Sequence, residues 1–248
     1  MSRPLVIAHR GASHDAPENT LAAFLLAWEQ GAEAVETDLR LCADGTPVCI
    51  HDADARRTLH DHRRIRDLSL EDLARMDAGS WKSPRWASAR VCTLAALLSE
   101  NPSNRHLVLE LKEGGDLPAA CSRAVRASSV PLEAITLIAF DEAVITAVKN
   151  LLPECRALWL TKDYHAGTPG GAKLAAKIRE MGIDGVDLEY GSRLDAGLVA
   201  ELQSRRYSVV TYTVNDAQSL RRCAEIGLDG ITTDRPADAI RWLAEISA

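Results

Sequence analysis

Aromatic side chains are scarce in this chain: Phe, Tyr and Trp make up 4% of 248 residues, with two phenylalanines, so the core has to be aliphatic. No apolar run approaches the ~20 residues that span a bilayer. Met1-Ser2-Arg3-Pro4 leads directly into a short apolar segment, without the h-region or small-residue cleavage site of a secretory leader. Positive charge is not in excess either; the formal net charge of -6 argues against a general nucleic-acid or membrane-surface binder. Cys42, Cys49, Cys92, Cys121, Cys155 and Cys223 form no CxxC pair and have no histidines at zinc spacing. They read as buried, reduced thiols of a cytoplasmic protein. Repeats and low-complexity tracts are also missing.

What is present is an alternation of short β-rich runs with helical patterns, the signature of βα units around a parallel sheet. Strand candidates fall at 5–9, 34–41, 47–51, 107–112, 135–140, 156–160, 185–190, 208–214 and 230–234, one more than an eight-stranded barrel needs. Ala43-Asp44-Gly45-Thr46 explains the surplus, because so short a turn makes an antiparallel hairpin. Parallel neighbours need a crossover of about a dozen residues or more. The run at 47–51 therefore returns beside the second barrel strand and brings His51 back toward Asp38. The expected fold is a single TIM (β/α)8 barrel over 1–248. A doubly wound open sheet is the alternative, although no GxGxxG follows Leu5-Val6-Ile7-Ala8. Gly31 and Gly227 suit helix ends, Asp141 and Asp216 suit N-caps, and Pro236 suits a first helical turn. An insertion over about 53–90 breaks the alternation and is expected over the C-terminal mouth of the barrel. Its Arg56-Arg57 and Arg63-Arg64-Ile65-Arg66 runs read either as a solvated face or as an attractor of anionic substrate.

Glu36 and Asp38 are two apart on a strand and project from one face, and Glu110 with Lys112 repeats that spacing on the next barrel strand. Charges directed into a barrel need partners or a metal. Three converging carboxylates offer oxygen-only ligands, which favour a hard divalent cation, Mg2+, Ca2+ or Mn2+. Lys112 reads as a second cation near the same oxygens, or as a salt-bridge partner alone. His9 and His51 fall at strand C-terminal ends, where barrel enzymes keep their catalysts, and imidazoles suit general acid and base work near neutral pH. Arg10 supplies a planar fork for phosphate oxygens, and Gly11 lets backbone approach closely. Asn19 caps the first helix, or donates to substrate, or orients a neighbour. His14, His60, His62, His106 and His165 lack comparable partners and read as surface or loop residues.

His9-Arg10-Gly11, Pro17-Glu18-Asn19-Thr20, Glu36-Thr37-Asp38, Asp44-Gly45, His51-Asp52, Glu110-Leu111-Lys112, Tyr212-Thr213-Val214-Asn215 and Thr233-Asp234-Arg235-Pro236 together resemble the glycerophosphodiester phosphodiesterase family. The resemblance runs nearly end to end. With Asp77-Ala78-Gly79-Ser80-Trp81 and a short chain, it is most similar to the small bacterial cytosolic branch. It implies a TIM-barrel hydrolase that splits glycerophosphodiesters into glycerol 3-phosphate and an alcohol with one divalent cation. By the same resemblance, His9 and His51 fall on the acid/base histidines and Glu36, Asp38 and Glu110 on the metal ligands. Arg10 falls on a phosphate contact, Lys112 on the lysine near the metal, and Tyr212 where many members carry a tryptophan lining the glycerol pocket.

Two departures bear on substrate preference more than on chemistry. The chain reads Leu59-His60-Asp61-His62-Arg63-Arg64 where many relatives have a second threonine and a glycine-containing turn, and Ala139-Phe140 where they often have Ser-Phe. The expected partner is a small glycerophosphodiester, with no nucleic acid and no stable membrane insertion. A barrel phosphodiesterase acting on longer lipids predicts an apolar entrance, and no clear amphipathic stretch supplies one. A catalytically silent binding barrel predicts a lost histidine or metal ligand, whereas both histidines and all three carboxylates are in place.

Overall fold

A computed structural model describes residues 3–191 and 193–247. Met1 and Ser2, part of the start where no leader pattern is read, lie outside the described residues. The nine strands are β1 (Leu5–Ala8), β2 (Ala34–Leu41), β3 (Pro47–Cys49), β4 (His106–Leu111), β5 (Ile135–Ala139), β6 (Arg156–Thr161), β7 (Gly185–Glu189), β8 (Ser208–Tyr212) and β9 (Gly230–Thr233). All but β3 form a closed parallel barrel, in which β1 pairs with both β2 and β9. β3 is the antiparallel surplus strand, in register Leu39 with Cys49 on β2. The open-sheet alternative is thereby excluded.

Helices α1 (Leu21–Glu29), α4 (Leu94–Glu100), α5 (Leu117–Ala127), α6 (Glu142–Leu151), α7 (Gly167–Met181), α8 (Ala196–Ser204), α9 (Ala217–Glu225) and α10 (Pro236–Ser247) intervene between or follow barrel strands, while α2 (Arg56–Leu59) and α3 (Leu70–Arg75) belong to the insertion. Aspartates cap several of them. Asp141 accepts from Ala143 and Val144 at the start of α6, and Asp216 accepts from Ser219 at the start of α9. None of the described helices is long and apolar enough to cross a membrane.

Two apolar layers follow from the period-2 alternation of the strands. Ile7, Ala34, Val108, Ile138, Leu158, Leu160 and Val210 fill the barrel interior, while the opposite strand faces pack with the helices in a larger core that includes Val6, Phe24, Leu109 and Val186. The interior is a plug with polar residues above it, as a barrel that carries its site at the C-terminal ends requires.

The strand ends fall within two residues of expectation. His9 lies one past β1, in a turn where Arg10 at φ 57° reverses the chain, and His51 lies two past β3, in a bend. The rim position survives: the His9 N–H donates to the Thr233 carbonyl at 2.8 Å, and that of Ile50 to the Asp38 carbonyl at 2.8 Å. The insertion builds its own apolar cluster from Ala55, Leu59, Ile65, Leu68, Leu73 and Ala78 over Val48 and Ile50, beside the strand end that leads to His51. Lys82 Nζ donates to the Ser13 carbonyl at 2.7 Å and Arg85 to that of Asp15 at 2.8 Å, so it clasps the loop between β1 and α1. Arg56 pairs with Asp54 and Arg63 with Asp61, which occupies much of the basic run locally.

Gly11 holds that same loop against α1. Its φ is 81°, and an added Cβ would lie 2.6 Å from the Ala23 carbonyl carbon. Gly11→Ala is expected to lower stability by about 2–4 kcal/mol, from the left-handed backbone together with overpacking, read as a lower urea midpoint at an unchanged m-value.

Candidate active site

Strand register alone gathers the carboxylates. Asp38 of β2 pairs with Glu110 of β4, and Glu36 lies two residues earlier on the same face. All three are buried, and one oxygen of each falls within 4.8 Å of the others. Such crowding in low dielectric opposes ionisation. Burial, with Asp38 and Glu110 nearby, raises Glu36 well above the ordinary carboxylate range, and burial with Asp38 nearby raises Glu110 to about 7. Asp38 goes the other way: although its burial is complete, Arg10, Lys112 and the Asn19 hydrogen bond lower it to about 2.

The cations that achieve this are close. Lys112 Nζ is 2.7 Å from Glu110 Oε1 and 3.3 Å from Asp38 Oδ1, and Arg10 Nε is 3.1 Å from Asp38 Oδ2. The Arg10 backbone N–H donates to Glu36 Oε2 at 2.9 Å, a bond that its positive φ makes available. Asn19 neither caps α1 nor lines the cavity. Thr20 is the cap, and Asn19, at φ 57°, donates from Nδ2 to Asp38 at 2.8 Å and accepts from the Thr37 hydroxyl at 2.7 Å. It orients a metal-ligand candidate, one of the three roles open to it from sequence.

Both histidines are held through Nδ1 by a carboxylate, which leaves Nε2 for the cavity. His9 Nδ1 is 2.7 Å from Asp234 Oδ1, and Asp234 also accepts from Ser13 at 2.9 Å and Asn215 at 2.6 Å. Burial works against its ionisation, yet these hydrogen bonds bring Asp234 to about 2. His51 Nδ1 is 2.7 Å from Asp52 Oδ1; Asp52 meets Arg57 at 2.6 Å, Arg57 meets Glu18 at 2.7 Å, and Glu18 meets Arg10 at 2.9 Å. A continuous charged chain thus runs from the insertion to the carboxylate cluster. Burial lowers His51 below the ordinary imidazole range, only partly offset by Asp38 and Asp52.

His9, His51, Arg10, Glu36, Glu110 and Lys112 share one cavity of about 370 Å3. Its other wall comes from β5 to β9 and includes Phe140, Asp187, Tyr212 and Thr232. Tyr212 meets Phe140 edge-to-face at 6.1 Å between centroids. Burial, with Glu110 nearby, raises the Asp187 carboxyl well above its ordinary value. Sequence reasoning singled out neither Asp187 nor the holding residues Asp52 and Asp234. The last two stood inside quoted motifs, and Asp187 with Glu189 repeats the two-residue spacing of Glu36 with Asp38.

The donor set fits a hard divalent cation. It is all oxygen, it holds more carboxylate than its two basic neighbours hold in comfort, and the buried Oδ1 of Asp38 has no hydrogen-bond partner, only Lys112 at ion-pair distance.

Comparison with known proteins agrees with this architecture. The model of the glycerophosphoryl diester phosphodiesterase family matches residues 9–238. A glycerophosphodiester phosphodiesterase from Caldanaerobacter subterraneus is 29% identical over 242 residues, spanning 96% of this chain and 97% of the relative. Among solved structures, an Oleispira antarctica phosphodiesterase in complex with the product sn-glycerol-3-phosphate superposes with a TM-score of 0.86 at 29% identity, covering 98% of this chain and 97% of that one. A glycerophosphodiester phosphodiesterase from Agrobacterium tumefaciens gives 0.82 at 26% identity, covering 97% of this chain and 100% of that one. With a closed barrel, a buried carboxylate cluster and a family match over nearly its whole length, the chain belongs to the glycerophosphoryl diester phosphodiesterase family of enzymes.

Proposed function

We propose that this barrel hydrolyses glycerophosphodiesters to glycerol 3-phosphate and an alcohol, with one divalent cation and with His9 and His51 as the acid/base pair. The observation that carries the reading is the opposition, within one cavity, of two carboxylate-held imidazoles and a buried three-carboxylate cluster. Glu36, Asp38 and Glu110 would hold Mg2+, Ca2+ or Mn2+, which supplies charge neutralisation at the phosphate. Arg10 and Lys112, already beside the cluster, bind the remaining phosphate oxygens. His51, kept neutral by burial, takes the proton from the attacking hydroxyl. His9, held by ionised Asp234, gives a proton to the leaving alkoxide as the phosphorus–oxygen bond breaks. The attacking hydroxyl is either that of water or the substrate's own glycerol hydroxyl next to the phosphate; a cyclic phosphate in a quenched reaction identifies the second. Tyr212 borders the glycerol side, and a cytoplasmic location fits the buried thiols.

Purified protein incubated with glycerophosphocholine is expected to release glycerol 3-phosphate, to stop when EDTA is added, and to recover with a divalent cation. His9→Ala and His51→Ala are each expected to lower kcat by about 10²–10⁴-fold with little change in thermal midpoint. Activity indifferent to chelator, or a histidine variant at full rate, removes the mechanism.

Cation affinity carries a pH signature. Glu110, raised to about 7, and Glu36, also raised, take up protons more readily than ordinary carboxylates, and a proton on either must leave before it can ligate. Affinity for Mg2+ or Mn2+ is therefore expected to increase as pH rises through about 7. Calorimetry in two buffers of different ionisation enthalpy should register proton release at pH 6.5 that shrinks by pH 8.5.

A further inference from the structure

A second cavity, of about 420 Å3, opens between the end of β2 and the insertion and shares no lining residue with the catalytic one. Arg40, Arg56, Arg64, Arg66 and His62 line it with Asp54 and Glu113, so arginines outnumber carboxylates in a chain whose net charge is -6. Both carboxylates are already engaged. Asp54 Oδ2 is 2.7 Å from Arg56 Nη2, and Glu113 Oε2 is 3.2 Å from Arg40 Nη1. Residues 53–55 and 63–65 pair as a short antiparallel ladder: the Ala55 N–H donates to the Arg63 carbonyl and the Ile65 N–H to that of Ala53, each at 3.0 Å. Arg64 is thereby set directly across from Asp54, on the same face. Because Arg56 holds Asp54, Arg64 has no carboxylate at ion-pair distance among the described residues, and Arg66 has Asp67 alone, at 3.9 Å.

We infer that this cleft binds a doubly charged phosphate group, as inorganic phosphate or as the head of a phosphomonoester, and that its occupancy is felt at His51. Guanidinium forks match phosphate oxygens, and a dianion offsets the positive charge that Arg64 and Arg66 leave uncompensated. His62 adds an imidazole to the same wall. A solvated face, the other reading of the basic run, spreads its charges in water. Here they converge on a concavity whose walls include Leu41 and the buried Ile65. The path to the catalytic cavity is short. Arg40 continues the inward row of Glu36 and Asp38 on β2, two residues nearer the rim. Its Nε donates to the His51 carbonyl at 2.9 Å, while its Nη1 meets Glu113, the residue after Lys112. An anion in the cleft competes for that guanidinium, and the backbone that carries His51 loses a fixed donor. The effect on His51 rests on the proposed function, whereas the binding does not.

The probe is inorganic phosphate, titrated calorimetrically into the full chain at about pH 7.5 and physiological salt, with EDTA present to keep divalent cations off the probe. Wild-type protein is expected to show a saturable component that the double variant Arg64→Gln, Arg66→Gln weakens by about tenfold or more, with the thermal midpoint unchanged. Arg63→Gln is the control, because Arg63 belongs to the same basic run, pairs with Asp61 and lies outside the cleft. Its loss is expected to change affinity by less than about threefold. Equal weakening in both variants assigns the binding to diffuse positive charge and overturns the inference, as does a wild type with no component sensitive to Arg64 and Arg66. Glycerol 3-phosphate in the same titration separates the two sources: tighter binding in that component names a phosphomonoester, and equal or weaker binding names the free ion. In assays with glycerophosphocholine and a divalent cation, phosphate is expected to lower kcat and raise KM of the wild type. The double variant, whose kcat without phosphate stays within about twofold, is expected to keep the KM effect alone. A wild-type kcat indifferent to phosphate, or a kcat effect that persists in the double variant, removes the link to His51. Absence of turnover on any glycerophosphodiester removes the proposed function and leaves the calorimetric result standing.

Discussion

Concentrated negative charge in a place that water hardly reaches is the constraint from which the rest of this molecule follows. Glu36, Asp38 and Glu110 are buried within 4.8 Å of one another. Uncompensated ions at that depth would each carry a penalty of several kcal/mol. Every unusual feature nearby reduces it. Arg10 adopts a positive φ and donates its backbone N–H to Glu36 while its guanidinium lies beside Asp38. Lys112 spans Asp38 and Glu110, and Asn19, also at positive φ, spends its amide on Asp38. Two non-glycine residues in the left-handed region within ten positions are strain retained because the cluster over-determines them.

The same constraint gives the insertion its purpose. Arg10 also needs Glu18, Glu18 needs Arg57 from α2, and Arg57 in turn holds Asp52, the partner of His51. A segment outside the barrel therefore fixes the orientation of an imidazole at its rim. A mutation in α2 reaches His51 through electrostatics and geometry, with no residue of 53–90 lining the cavity. His9 is held separately, by Asp234 after β9 and the Ser13 and Asn215 side chains. The two histidines are thus braced by independent networks on either side of the β1 loop.

Much of this was legible in the residues, and for identifiable reasons. A period of two fixes which side chains share a face, so the convergence of Glu36, Asp38 and Glu110 could be read before any coordinates, and a turn too short for a crossover fixed the hairpin that returns His51. What stayed hidden depends on dihedrals and on contacts remote in sequence. Nothing in the letters Asn19-Thr20 says that the threonine caps the helix and the asparagine turns inward, since both are good caps. How the insertion is anchored depends on which apolar cluster it completes, and its residues pack over Val48 and Ile50 of the hairpin region. Asp187 had the right spacing but no adjoining motif, and only the fold brings it to the same cavity as Glu110 and Tyr212.

A division of labour around the barrel accounts for this uneven legibility. The charged groups of the cavity cluster at the ends of β1, β2, the β3 hairpin and β4, where they stand at fixed separations and so leave dense motifs. The wall from β5 to β9 contributes single residues to the same cavity: Phe140 just past β5, Asp187 on β7, Tyr212 on β8 and Thr232 on β9. Charge clusters tolerate little change, because removing one member of a buried pair leaves the other uncompensated at about 3–5 kcal/mol. A wall of single residues can change one residue at a time, at the smaller cost of a hydrogen bond. One half of the barrel mouth is therefore held in place by its own electrostatics, while the other half is free to vary residue by residue.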